Sequence, residues 1–351
     1  MESAPLLPNE PRRVNHPRSP QQVPTALLPS TETRLLDKYV LPKVALTIIT
    51  LSSFVGVWLT MSTHGVSEWP AVIMRWLHLV SLGALAGGYM WKGFLAKAPA
   101  DAATKPRKAA DVRVFAAAQF HRFRRVVLVA LPIFALTGIF DLVRFSRLGV
   151  GWPIWIDAAL LASIIMIVLY EYSDRRPGMP YAEQPAARLA VGLLVIDALF
   201  QAAFDVTLSQ GGAVWPLLVR WAHVAAFGLW FGGAFWNIFI AVPAARQTLS
   251  IPVVVAAGQQ LERFRVVVRI ILPTLIITGF IQAYRFVGLS LDALLYSPVG
   301  HIILLKIGLV LTLVGVFLTC PLWRACSPIS GMCKLDELYD STTGQMKEPS
   351  A

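Results

Sequence analysis

The chain has 351 residues, 56% hydrophobic and only 15% charged. Its mean hydropathy of +0.61 excludes an ordinary soluble domain, which carries about 25% charged residues. The formal net charge of +11 argues for no nucleic-acid partner, because the basic residues sit where membrane topology wants them. No P-loop, GxGxxG, HExxH or nucleophile elbow is present, so nucleotide-driven and hydrolytic chemistry have no visible support.

About 20 apolar residues make one bilayer crossing, and the sequence reads as an all-α polytopic membrane protein with eight spans. These fall at residues 39–61, 71–95, 126–145, 152–172, 187–208, 214–242, 266–288 and 298–319. A β-barrel would show alternating segments of about ten residues instead. Residues 1–38, rich in Pro, Ser and Arg without an apolar core, read as a disordered cytoplasmic tail rather than a signal peptide.

The span at 71–95 opens with Arg75-Trp76-Leu77-His78 and continues to Gly83, Gly87 and Gly88. After it, Lys97, Lys105, Arg107, Lys108, Arg113, Arg122, Arg124 and Arg125 crowd what reads as a loop. Arg175 and Arg176 follow span four, and Arg246, Arg263 and Arg265 lie between spans six and seven. The alternate loops, 62–70 and 209–213, carry no Lys or Arg. This positive-inside pattern predicts both termini in the cytoplasm.

The second half repeats the first. Arg220-Trp221-Ala222-His223 leads to Gly228, Gly232 and Gly233, and residues 264–286 align without gaps on residues 123–145 with 10 of 23 identical, Pro132, Thr137 and Gly138 matching Pro273, Thr278 and Gly279. The domain organisation read from this is a tail (1–38), two four-helix repeats (39–172 and 187–319) and a cytoplasmic tail (320–351). Four spans per unit make the repeats parallel, related by an axis along the membrane normal. His78 and His223 then share one depth, in the third of the bilayer away from the basic loops.

An intramembrane ionisable residue is a functional candidate by default. Helical spacing sets Gly83 and Gly87, like Gly228 and Gly232, on a small-residue packing face turned away from the histidine. The histidine face is then expected to look toward the pseudo-twofold centre. Met74 flanks His78, and His301 opens span eight, so His78, His223, His301 and Met74 form a candidate copper-ligand set, imidazole and thioether both suiting copper. Asp141, Asp157, Asp197 and Asp205 are further polar intramembrane residues, of which Asp197 falls near mid-span. Lys92 and Lys306 read as snorkelling cations. Cys320, Cys326 and Cys333 match no metal pattern and read as free thiols.

The RWxH helix with its paired glycines, the basic loop, the following helix with Pro132, Thr137 and Gly138, and the late helix with Gly300, Leu304 and Lys306 resemble the copper resistance protein D family over most of residues 70–320. The resemblance implies a multi-pass protein of the bacterial inner membrane in copper transport or homeostasis, His78 and His223 facing the copper, with an external copper-binding partner. No Met-rich or His-rich external segment accompanies it. Two readings stand beside it. A redox protein could hold haem b between two histidines of equal depth, or the chain could be a noncatalytic subunit of a membrane complex.

Overall fold

The structure, a computed structural model, describes residues 40–63, 65, 68–97, 106–147, 153–173, 185–210, 213–248 and 250–319. The terminal tails, Lys105, Arg175, Arg176 and the three cysteines lie outside the described residues. The chain forms α1 (Val40–Thr63), α2 (Trp69–Met90), α3 (Pro106–Arg147), α4 (Pro153–Ser173), α5 (Pro185–Gln210), α6 (Val214–Phe235), α7 (Val242–Gln247), α8 (Ile251–Val287), α9 (Leu291–Tyr296) and α10 (Pro298–Thr319). All except the short α7 and α9 are long and apolar enough to cross a membrane, and α2 and α6 run on through π-helical turns at Trp91–Leu95 and Trp236–Ala241. Among the described residues there is no strand. The protein is an all-α polytopic membrane protein of two parallel repeats. The apolar side chains on its perimeter, such as Leu136, Met166, Ile270 and Leu311, are those that lipid would cover.

Six spans begin and end within a few residues of their expected places, counting the continuation of α6 through α7. The other two correct the reading of the basic loop. α3 has 42 residues and α8 has 37, so at 1.5 Å per residue each exceeds the roughly 30 Å hydrocarbon layer. Residues 106–125 are therefore helix, not loop. Hydropathy hides this because basic residues interrupt the run, yet the alanines around them are strong helix formers. The extension has its own small core, where Val112 and Phe115 are buried with Ala244, Val253 and Ala256.

Equivalent residues of the two repeats touch each other and so mark the pseudo-twofold axis. A Cβ on Gly83 would lie 3.3 Å from Gly228 Cα, and one on Gly87 would overlap the backbone of Gly232. Farther along, Trp91 and Trp236 stack with centroids 5.8 Å apart and planes 2° apart. Beyond them Gln119 Nε2 donates to Gln260 Oε1 at 2.8 Å. Gly88 and Gly233 each admit a ring, Phe123 and Phe264, that a Cβ would strike.

This axis reverses one expectation. The glycines, not the histidines, occupy the pseudo-twofold centre. His78 lies about 180° around α2 from Gly87 at 100° per residue, and His223 stands likewise to Gly232, so the imidazoles face outward into separate half-bundles. Packing also crosses the repeat boundary: besides α4, α5 packs on both α2 and α6, and besides α10, α1 packs on both α2 and α6. One half-bundle is α2, α3, α4 and α5; the other is α6, α8, α10 and α1.

Replacing Gly87 or Gly232 with Leu is expected to prevent this approach and lower the melting temperature sharply, overpacking alone costing about 1–3 kcal/mol. Gly192→Ala, where a Cβ meets nothing within 4 Å, should leave thermal melting in detergent unchanged or slightly raised.

Candidate functional site

The first half-bundle buries an unusual concentration of charge. Arg75, one turn before His78 on α2, is 3% exposed. Its Nη1 donates to Asp141 Oδ2 on α3 at 3.0 Å and also bonds Gln201 Oε1. Its Nη2 donates to Asp205 Oδ1 and to the Gln201 carbonyl on α5, both at 3.0 Å. Asp205 joins the two repeats, because its Oδ2 also accepts from Arg220 Nε at 3.1 Å and Nη2 at 2.9 Å. Arg220 is completed by Gln282 Oε1 at 2.9 Å and Thr60 Oγ1 at 2.8 Å. Two guanidiniums and two carboxylates thus balance in one network, with charge-assisted bonds replacing the water each group has lost.

Deeper along the same helices lies His78, fully buried and stacked on Phe134 with centroids 4.8 Å apart. Its Nδ1 is 3.1 Å from Thr137 Oγ1. The Thr137 hydroxyl has one proton, which it donates to backbone carbonyls of its own helix, Ile133 at 2.7 Å or Phe134 at 3.2 Å. Its oxygen is therefore left to accept, so His78 carries a proton on Nδ1. Gly138 follows because the imidazole and Leu161 leave no room for a Cβ, which would meet Leu161 at 3.0 Å and His78 Cε1 at 3.3 Å. The Thr-Gly pair and the RWxH segment are one device, a hydroxyl that fixes the tautomer beside a gap that seats the ring.

That tautomer leaves Nε2 bare beside a carboxylate. Asp197 Oδ2, from the middle of α5, is 3.4 Å from Nε2, with 0% and 2% of the two side chains exposed. Neither atom makes a hydrogen bond. Asp157, buried at the start of α4, lies within electrostatic reach of Asp197, His78, Arg75 and Asp141. Asp157 Oδ1 and Asp141 Oδ1 also lack a hydrogen-bond partner. With Asp141 and Asp205 held by the arginines, Asp157 and Asp197 remain as two carboxylates facing one imidazole.

The second half-bundle repeats the scaffold without the acids. His223 Nδ1 is 2.9 Å from Thr278 Oγ1, which donates to the Thr274 carbonyl at 2.5 Å, and Gly279 lies under the ring. The place of Asp141 is taken by Gln282, which donates to the Thr278 carbonyl at 3.1 Å. Lys306 and Arg220 are the cations within electrostatic reach of this histidine.

The expected ligand set His78, His223, His301 and Met74 does not converge. The two histidines diverge from the axis, His301 is exposed with Nε2 2.7 Å from the Leu295 carbonyl, and Met74 lies exposed on its helix. Among the described residues no three His, Cys, Asp or Glu side chains are placed to hold one metal ion. A haem held by both histidines does not fit, since His78 is sealed between Thr137, Asp197 and Phe134 and the imidazoles point apart. Asp141, Asp157, Asp197 and Asp205 do gather, all 5% exposed or less. Gln201 went unnoticed in the sequence, although the spacing Asp197, Gln201, Asp205 places all three on one helical face. Lys92 does not snorkel but pairs with Glu171. Arg144 donates to Met61 Sδ at 3.5 Å.

Arg75→Met should cost about 3–5 kcal/mol, because it strands buried carboxylates. Adding Asp141→Asn should recover part of that loss. Arg220→Met, whose side chain is 17% exposed, should cost less. Thermal melting in detergent ranks the three, and equal losses for Arg75→Met and Arg220→Met would contradict the assignment.

No protein-family model, no curated protein and no solved structure matches this chain.

Proposed function

We propose that this integral membrane protein handles a cation, and that the cation is taken up between His78 and Asp197. One observation carries the reading: an imidazole nitrogen and a carboxylate oxygen lie 3.4 Å apart in a site with almost no exposure, and neither has a hydrogen-bond partner. Two acceptors in that position repel unless a proton or metal ion lies between them or on one of them. Uptake of one cation satisfies both acceptors.

The approach is from the end where α2 and α6 begin. A small open cleft is lined there by Thr60, Thr63, Asp205, Arg220, Gln282 and Arg285. Asp205 belongs both to the cleft and to the Arg75 network. From Asp205 to Asp197 is eight residues, about 12 Å along α5. Beyond His78, toward the basic end, Leu85, Phe134, Ile164 and Leu194 are buried around the path, so release on that side needs a movement of the helices. The positive-inside pattern supports a cytoplasmic basic end, with the cleft outside and, in a bacterial inner membrane, open to an external carrier.

A proton needs only the two acceptors present. Copper, the cargo the family resemblance implies, needs a third donor, and Asp157 is the nearest carboxylate that could swing to supply one. Imidazole with carboxylates suits copper(II) better than copper(I), which favours sulfur. In this reading copper is a passenger, not a resident cofactor.

Proteoliposomes containing the full chain, loaded with a pH-sensitive dye and in parallel with a copper-sensitive dye, separate the cargoes. His78→Ala and Asp197→Asn should each reduce the ion flux to that of empty liposomes, while His223→Ala should retain it. A flux that survives Asp197→Asn, or that falls equally with His223→Ala, would sink the proposal.

A further inference from the structure

The second half-bundle presents the inverse of the first. We infer that it holds a binding site for a small monovalent solute anion, built on Lys306 and Arg220 and reached from the cleft. The inference is independent of the cation proposed for the His78 centre.

Lys306 lies eight residues beyond Pro298, about 12 Å inside the start of α10. It is half-buried and forms no hydrogen bond or ion pair among the described residues. Space is kept for its ammonium group by Gly56 on α1, where a Cβ would come within 3.0 Å of Nζ. The groups around it are cationic or neutral. Arg220 and His223 are within electrostatic reach, and Thr60 lies one turn beyond Gly56, its hydroxyl bonding the Gly56 carbonyl at 3.0 Å. The nearest acid on the Arg220 side is Asp205, whose two oxygens are already held by Arg75 and Arg220.

A cation at this depth without a carboxylate partner is costly unless something negative joins it. Arg285 adds a further guanidinium to the mouth of the cleft, and Gln282 an amide beside it. A single ammonium at the end of this approach fits one negative charge on a compact group, a halide or a small carboxylate. A phospholipid headgroup remains at the interface, about 12 Å short of Lys306 by the same helical rise.

The test uses the full chain in nanodiscs of zwitterionic phosphatidylcholine, titrated calorimetrically with sodium chloride and with sodium acetate at ionic strength fixed by gluconate. Saturable binding of at least one of the two anions is expected. Lys306→Gln should abolish it, Lys306→Arg should retain it, and Gly56→Ala, which crowds the ammonium, should weaken it. His78→Ala and Asp197→Asn should bind the anion as the parent does, which keeps this result separate from the fate of the cation proposal. Absence of saturable binding in the parent protein, or unchanged affinity in Lys306→Gln or Gly56→Ala, would overturn the inference. So would binding seen only after phosphatidylglycerol is added to the discs.

Discussion

Backbone contact between α2 and α6 is the constraint on which the rest depends. Helices come this close only where neither carries a side chain at the crossing, and Gly83, Gly87, Gly228 and Gly232 meet that need from both sides of the pseudo-twofold axis. Once the glycines face inward, the helical period turns His78 and His223 outward. The same crossing stacks Trp91 on Trp236, and Gly88 and Gly233 let Phe123 and Phe264 lock α3 and α8 against it. The axis is therefore structural, and the histidines are displaced into two half-bundles.

Those half-bundles share a scaffold and differ in charge. Each has an RWxH histidine whose Nδ1 is fixed by a threonine and whose ring rests over a glycine. Only in the first does Nε2 lie beside a carboxylate, with Asp157 near it. In the second, Gln282 stands for Asp141 and the nearby ionisable group is Lys306. Burying charge in a membrane interior is costly, and the Arg75, Arg220, Asp141 and Asp205 network meets that cost by pairing. Asp157 and Asp197 on one side and Lys306 on the other lie outside that balance, and so become sites where ions would complete it. Asp205, bonded to both arginines, is the direct link between the two halves.

Much of the fold was legible because lipid simplifies the rules. Apolar runs announce spans, and a duplicated segment such as residues 123–145 and 264–286 announces a repeat whatever its partners. The extension of α3 was not legible from hydropathy, since Arg107 to Arg125 look like loop residues when only apolarity is scored. The helical wheel correctly set Gly87 opposite His78, but it carries no information about which face meets the axis, and the inward choice for histidine was reversed. The His78 to Asp197 pairing spans the repeat boundary, because α5 completes the half-bundle of α4. Nothing in either repeat alone signals that exchange. The role of Thr137 was hidden for a different reason: a hydroxyl that orients a ring leaves no periodic trace.

The orientation of the His78 imidazole is the central claim, and nitrogen-15 NMR of histidine-labelled protein in bilayers measures it directly. The account predicts that the neutral His78 imidazole carries its proton on Nδ1 and leaves Nε2 bare beside Asp197. A neutral imidazole with its proton on Nε2 and a bare Nδ1 would contradict it, for His78 would then simply donate to Asp197 and no cation would be required.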